Sequence, residues 1–204
     1  MYAISTTPMG SLKTMAKIDS ITELKKPQFV QPIKINYTLK GQQKVWEAII
    51  SHDSVSILLW HTQKCSFVVV KQLRATVLHS HKKNGYTYEL CAGIIDKEIS
   101  DIEIAKEEVL EECGYDIPLE SFSKITSFYP NVGVTGAKQT LYYAECDESM
   151  HVNEGGGTHE EDIEVIYIPI EEIKTFMFDE SYHKTPGMLM AFYWFLENKS
   201  TQTL

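Results

Sequence analysis

The stretch AKEEVLEECGY, residues 105–115, places four glutamates within six positions and then reaches a glycine. Just upstream, Ser100 and Glu103 have the spacing of a capping box, and apolar residues recur after them at helical intervals. The pattern predicts a helix over about Asp101–Cys113 that ends at Gly114.

Three of the glutamates, Glu108, Glu111 and Glu112, stand at i, i+3 and i+4, so they project from one strip of the predicted helix. Like charges at this spacing, at the negative end of the helix dipole, cost on the order of 1–2 kcal/mol unless a cation is bound there. A solvated acidic helix face and a cation site both remain open on these residues alone.

The segment before the helix decides between these alternatives. The run YTYELCAGIID, residues 86–96, predicts an apolar strand that enters Ala92 and Gly93. A connection of fewer than ten residues then leads to the acidic helix. The expected order is therefore strand, short loop and helix.

This arrangement resembles the Nudix box, with Gly93 followed in register by EVLEECGY at residues 108–115. The chain departs from the box at two places. Ile99 stands where a glutamate is expected, with Glu98 one place early, and Glu107 stands where an arginine is expected. In the family that arginine holds the acidic strip in place, so the departures bear on how the strip is oriented.

The resemblance extends over roughly residues 44–195 and is to the uridine diphosphate glucose pyrophosphatase branch of the Nudix hydrolases. It implies an α/β fold, a Nudix-type α/β/α sandwich with a mixed β-sheet, plus a small N-terminal β-rich dimerisation arm. The expected organisation is a flexible tail over residues 1–28, the arm over 29–50 and the hydrolase domain over 51–204. The implied partners are a nucleotide-sugar substrate and a second copy of the chain in a homodimer.

Carboxylates and a backbone carbonyl are hard oxygen ligands that Mg²⁺ prefers, with Mn²⁺ as a possible substitute. The resemblance implies that Glu108, Glu112 and the carbonyl of Ala92 hold Mg²⁺. Glu111 is expected to act as a second ligand or to orient the attacking water.

A general base must still take the proton of that water. The segment HVNEGGGTHEEDIEV, residues 151–165, offers Glu160 and Glu161 after three glycines. The register against the family places the catalytic glutamate on Glu161, with Glu160 kept as an alternative. A glycine-rich loop of this kind is expected to close over substrate.

Arg74 is the only arginine of the chain, and it follows an apolar strand. A planar guanidinium suits a diphosphate better than a lysine does, and the family uses an arginine at this place on the substrate phosphates. Glu89 is expected near the same cleft, either as a partner of Arg74 or as a further carboxylate beside the metal. With Gly93, these residues form the expected substrate-binding set.

Composition limits the function classes. A net charge of −9 disfavours an electrostatic nucleic-acid binder, and no run of 18 apolar residues exists to cross a membrane. The four cysteines have no CxxC spacing and indicate reduced thiols of a cytoplasmic protein. Three functions stay open: hydrolysis of UDP-glucose to UMP and glucose 1-phosphate, the same chemistry on ADP-ribose or another nucleotide sugar, and a catalytically silent nucleotide-sugar-binding domain.

Overall fold

The computed structural model describes residues 16–26, 30–81, 84–158 and 161–199. The described elements include four α-helices, α1 (Ala75–His81), α2 (Asp101–Cys113), α3 (Ile173–Phe178) and α4 (Pro186–Asn198). They also include the strands β1 (Gln31–Leu39), β2 (Gln42–Ile50), β3 (Ser54–His61), β4 (Ser66–Leu73), β5 (Tyr86–Glu89), β6 (Cys91–Ile94), β7 (Ser123–Phe128), β8 (Gln139–Cys146) and β9 (Ile163–Pro169). Short 3₁₀ turns cover residues 119–121, 148–150 and 170–172.

The N-terminal strands β1 and β2 form a separate two-stranded hairpin, paired from Gln31 opposite Ile50 to Leu39 opposite Gln42. The turn between them has positive φ at Lys40 (54°) and Gly41 (77°). This backbone twist matches that of two directly joined strands, so the N-terminal segment is β-rich as expected.

The other seven strands form one sheet in the order β5-β4-β3-β8-β7, with β6 also paired to β3 and β9 to β4. Strands β3 and β8 are parallel and the remaining pairs are antiparallel, which confirms the predicted mixed sheet. Side chains of β3 alternate between two cores: Val55, Ile57 and Leu59 lie in one, and Leu58 and Trp60 in the other.

Helices cover both faces of the sheet. The apolar side of α2 packs on the first core, whereas α3 and α4 pack on the second. Two helical layers therefore enclose the sheet, which gives the expected three-layer α/β/α sandwich. Helices α1 and α3 and strand β7 were not anticipated, because each is short and weakly periodic.

Most of the predicted tail over residues 1–28 lies outside the described residues, and only residues 16–26 of it are described. Across the described ranges no helix is long and apolar enough to cross a membrane. All four cysteines are free, and Cys91, Cys113 and Cys146 are buried. The expectation of reduced core thiols is met at these three positions.

Candidate active site

The chain makes a sharp reversal where the predicted apolar strand was expected to be continuous. Strand β5 pairs with β4 up to Val70 opposite Glu89, and β6 then pairs with β3 from Ile57 opposite Cys91. The interruption at Leu90 lets the segment enter along β4 and leave along β3, so it fills the space where these two strands diverge. An opening in the sheet results between β5 and β6.

The backbone of Ala92 faces this opening. Its N–H donates to the Oε2 of Glu112 at 3.0 Å and therefore does not bond across to β3. The N–H and C=O of one strand residue point to the same edge, and paired residues alternate between bonded and unbonded positions. The carbonyl of Ala92 consequently points to the same edge of β6 as the N–H that donates to Glu112.

Gly93 allows α2 to lie directly against β6. A Cβ atom at this position would come within 2.0 Å of the Oε1 of Glu108. Any other residue would push this carboxylate away from the strand. The predicted role of Gly93 in binding substrate is thus accompanied by a steric one.

Burial leaves two of the carboxylates with unusual acidities. Glu112 is only 5% exposed, and burial raises its pKa to about 8, although hydrogen bonds from Cys91 and Ala92 oppose the rise. Burial, together with the charges of Glu111 and Glu161, raises the pKa of Glu108 to about 7. Without a cation, the strip therefore holds its negative charge unfavourably.

The end of α2 is bound by the glycine-rich loop. Gly114 terminates the helix with φ 79°, as predicted. The N–H of Gly156 donates to the carbonyl of Glu112 at 2.9 Å, and the N–H of Gly157 donates to that of Glu111 at 3.0 Å. These bonds satisfy carbonyls that a helix end leaves unpaired. The loop predicted to be free to close is, in this structure, fastened to the helix by its backbone.

The same loop carries Glu161 to the site. Its Oε2 accepts hydrogen bonds from the backbone N–H (2.9 Å) and hydroxyl (3.3 Å) of Thr158. The charge of Glu161 acts on Glu108, Glu112 and Arg74. Its alternative, Glu160, lies outside the described residues.

Arg74 and Glu89 form a bidentate ion pair at the other side of the opening. The Nε and Nη2 of Arg74 donate to the two carboxylate oxygens of Glu89, each at 2.8 Å. Burial acts to raise the pKa of Glu89, but hydrogen bonds from Arg74 and Thr87 hold it below its usual range. Of the two roles considered for Glu89, the structure has it as the partner of Arg74. The Nη1 of Arg74 takes no part in this pair.

Glu107, one of the two departures from the sequence pattern, forms an ion pair with a lysine of the preceding loop. The Nζ of Lys97, in the loop before α2, lies 2.5 Å from a carboxylate oxygen of Glu107. Lys97 also acts electrostatically on Glu108 and Glu111. Sequence reasoning missed Lys97. The only signal in the sequence was a lysine in the loop before α2, together with a glutamate at position 107 where an arginine was expected.

The donors fit a hard divalent cation, but their arrangement is open. Among the described residues, no three His, Cys, Asp or Glu side chains are grouped closely enough to form a metal site by themselves. Glu108, Glu112 and the Ala92 carbonyl are too few oxygen donors to fill an octahedral shell by themselves. This suits Mg²⁺, which keeps water or phosphate oxygens for the rest of its shell.

Known proteins similar to this chain are named as pyrophosphatases of UDP-glucose or of GDP-mannose. The uridine diphosphate glucose pyrophosphatase of Bos taurus is 33% identical over 195 residues, covering 82% of this chain and 88% of that protein. The Mus musculus enzyme of the same name is 31% identical with the same coverage. A GDP-mannose pyrophosphatase of Cronobacter sakazakii is 32% identical over 120 residues, covering 59% of this chain and 61% of that protein. No protein-family model matches the chain.

Proposed function

Because the chain belongs to the Nudix hydrolase family, whose members hydrolyse phosphoanhydride bonds, we propose that it splits the diphosphate of a nucleoside diphosphate sugar. UDP-glucose is the first candidate, with UMP and glucose 1-phosphate as products. The observation that carries the proposal is the pair of carboxylates at Ala92 and Gly93, with Glu112 buried and Glu108 half-buried, and with the charge of Glu112 acting on Arg74.

In this proposal Glu108, Glu112 and the carbonyl of Ala92 hold Mg²⁺, and Mn²⁺ can replace it. The raised pKa values of Glu108 (about 7) and Glu112 (about 8) support this, since a bound cation would stabilise both charged forms. When bound, the cation neutralises the diphosphate and makes the attacking water more acidic. Glu111, exposed on the same strip, is a second ligand or orients that water.

The remaining steps fall to other side chains. Arg74 holds the phosphate oxygens with the N–H groups that Glu89 does not use. Glu161 accepts a proton from the water as the oxygen bonds to phosphorus, and the bond from that phosphorus to the bridging oxygen breaks. The bridging oxygen leaves with the second phosphate, so each product carries one phosphomonoester.

GDP-mannose is a second candidate, supported by the relative of that name. The UDP-glucose enzymes match over 82% of the chain against 59%, which favours the uridine nucleotide.

We also propose that the hairpin β1–β2 is a dimerisation arm. It exposes several apolar side chains, Ile35, Leu39, Val45, Trp46 and Ile50, which a second copy of the chain would cover. The hairpin is joined to the hydrolase domain through Trp46 Nε1 to Gly133 O (3.2 Å) and Ile49 N to Val134 O (2.8 Å). Light scattering of the full chain and of Val45→Lys tests this, since a dimer of the former and a monomer of the latter are expected.

The buried free thiols support a reducing, cytoplasmic compartment.

The main test offers the purified protein with Mg²⁺ a panel of UDP-, ADP- and GDP-sugars and measures the released phosphomonoester. Hydrolysis of UDP-glucose above the other substrates is expected, and Glu112→Gln is the inactive control. Binding without release of any product would identify the silent domain instead. Equal rates on every sugar nucleotide would contradict the choice of UDP-glucose but not the reaction class.

A further inference from the structure

A second cavity adjoins the opening on the side of the sheet that α4 covers. It has a volume of about 170 Å³ and is lined by residues that include Ser56, Glu89, Ala92, Gln139 and Met188. That is enough space for several ordered water molecules. Since Glu89 and Ala92 also belong to the candidate active site, a molecule bound there could extend into the cavity.

Ser56 is an exception in the most buried strand of the protein. It is 3% exposed, and its Oγ has no hydrogen-bond partner in the described part of the chain. A buried hydroxyl without a partner costs about 1–3 kcal/mol. Because Ser56 lines the cavity, a molecule bound there can form a hydrogen bond with this hydroxyl.

The N-terminus of α4 meets the same cavity. Thr185 makes no side-chain capping hydrogen bond, and Pro186 at the first position has no N–H. The buried residues Gly187 and Met188 follow, and the first N–H groups of a helix have no partner within it. The N–H groups of the buried residues Gly187 and Met188 therefore have no partner within the helix, and both residues line the cavity.

Acceptors face these donors. The Nε2 of Gln139 donates to Ser54 at 3.2 Å, while its Oε1 lies on the side of Gly187, 3.4 Å from where a Cβ of that residue would be. The carboxylate of Glu89 completes the lining. The phosphates are already assigned to Arg74, and a flat base would leave most of these groups unpaired. A ring with several hydroxyls both donates and accepts, so it suits this mixture.

From the unpartnered hydroxyl of Ser56, the start of α4 and the acceptor oxygen of Gln139, all around one cavity beside the active site, we propose that the cavity binds the sugar of the nucleotide-sugar substrate, with Ser56 as a hydrogen-bonding contact. The proposal rests on the proposed function, because it assigns one part of that substrate. It identifies Ser56 as a specificity-determining residue that the sequence pattern did not reveal.

The test compares two substrates in the full-length protein with Mg²⁺: the preferred nucleoside diphosphate sugar and the matching nucleoside diphosphate methyl ester, which lacks the sugar. The readout is the ratio of kcat/KM for the sugar to kcat/KM for the methyl ester. Ser56→Ala removes the hydroxyl, and Ser56→Val also fills part of the cavity with a residue that suits a strand. Ser66→Ala is the matched control, since Ser66 is another buried strand serine but its Oγ donates to Lys64 O at 2.8 Å.

We expect Ser56→Ala to lower the ratio about three- to tenfold, the value of one hydrogen bond, and Ser56→Val to lower it further. Ser66→Ala should leave the ratio unchanged. An unchanged ratio in both Ser56 variants, or an equal fall in Ser66→Ala, would overturn the sugar site and show a cavity that only holds water. If the unaltered protein cleaves both substrates equally well, the sugar site is wrong while the hydrolase remains. If it cleaves neither, the proposed function itself fails.

Discussion

Replacing Glu112 by glutamine tests whether its carboxylate is kept buried at a cost to the free energy of folding. Burial raises its pKa from 4.5 to about 8. A group whose pKa is raised on folding leaves stability unaffected below the unfolded value and reduces it as the pH rises through the folded value. The metal-free protein should therefore lose stability between about pH 5 and pH 8.

The size of this loss follows from the shift. Each pKa unit corresponds to about 1.4 kcal/mol, which gives an upper limit of roughly 4–5 kcal/mol for Glu112. Relaxation and water entry reduce such penalties, so we expect about 2 kcal/mol. For a chain of this length that is about 4–8 °C in the melting temperature. The glutamine Oε1 can still accept the Ala92 N–H, so the variant should keep the fold.

The assay is thermal unfolding in a chelator at pH 5.5 and pH 8.5. Glu112→Gln should melt above the unaltered protein at pH 8.5 and show a smaller difference between the two conditions. Glu111→Gln is the control for stability, because it removes an exposed charge from the same helix turn. Activity of Glu112→Gln with Mg²⁺ should fall at least about a hundredfold. A lower melting temperature at pH 8.5, or unchanged activity, would refute the reasoning.

Three further changes test other parts of the site. Arg74→Lys keeps the charge but loses the bidentate hydrogen bonding that a guanidinium offers to Glu89 and to phosphate. We expect kcat/KM to fall about ten- to a hundredfold, mainly through a higher KM. Unaltered kinetics would show that Arg74 does not bind the substrate. Lys97→Glu should lower kcat/KM by repelling Glu107 and the acidic strip, and adding Glu107→Lys should restore part of the loss; a double variant no better than the single one would argue against the pair. Gly157→Ala places a side chain at φ 78° and against Glu161, so activity should fall with a loss of about 1–2 kcal/mol in stability, and unchanged activity would detach this loop from catalysis.

The acidic helix was predictable because its signals are local. Ser100 caps α2 through its Oγ and Glu103 bonds back to it, as the four-residue pattern indicates. Gly114 ends the helix in the left-handed conformation. Strands β3 and β8 were likewise readable from their runs of apolar residues.

The ion pairs were not predictable in the same way, because they join residues that only the folded chain brings together. Arg74 and Glu89 are neighbours since β4 and β5 are paired, and Glu89 had two possible roles until this pairing was known. Lys97 and Glu107 are ten residues apart and meet because the loop before α2 folds back along it. The Ser56 hydroxyl lacks a hydrogen-bond partner because of how separate elements pack around the cavity, and no sequence pattern indicates this.

The crowding of acids at the end of α2 is explained by the contacts on both sides of the helix. The N–H groups of Gly156 and Gly157 take the carbonyls of Glu112 and Glu111, which relieves the negative end of the helix without neutralising the side chains. The loop that contains these glycines also places Glu161 near the strip, where its charge acts on Glu108 and Glu112. The loop therefore reduces the repulsion at the helix end but adds repulsion between carboxylates. A loop selected for stability alone would have supplied a lysine here. The presence of Glu161 is explained if a divalent cation neutralises the acidic strip and Glu161 accepts a proton from the attacking water.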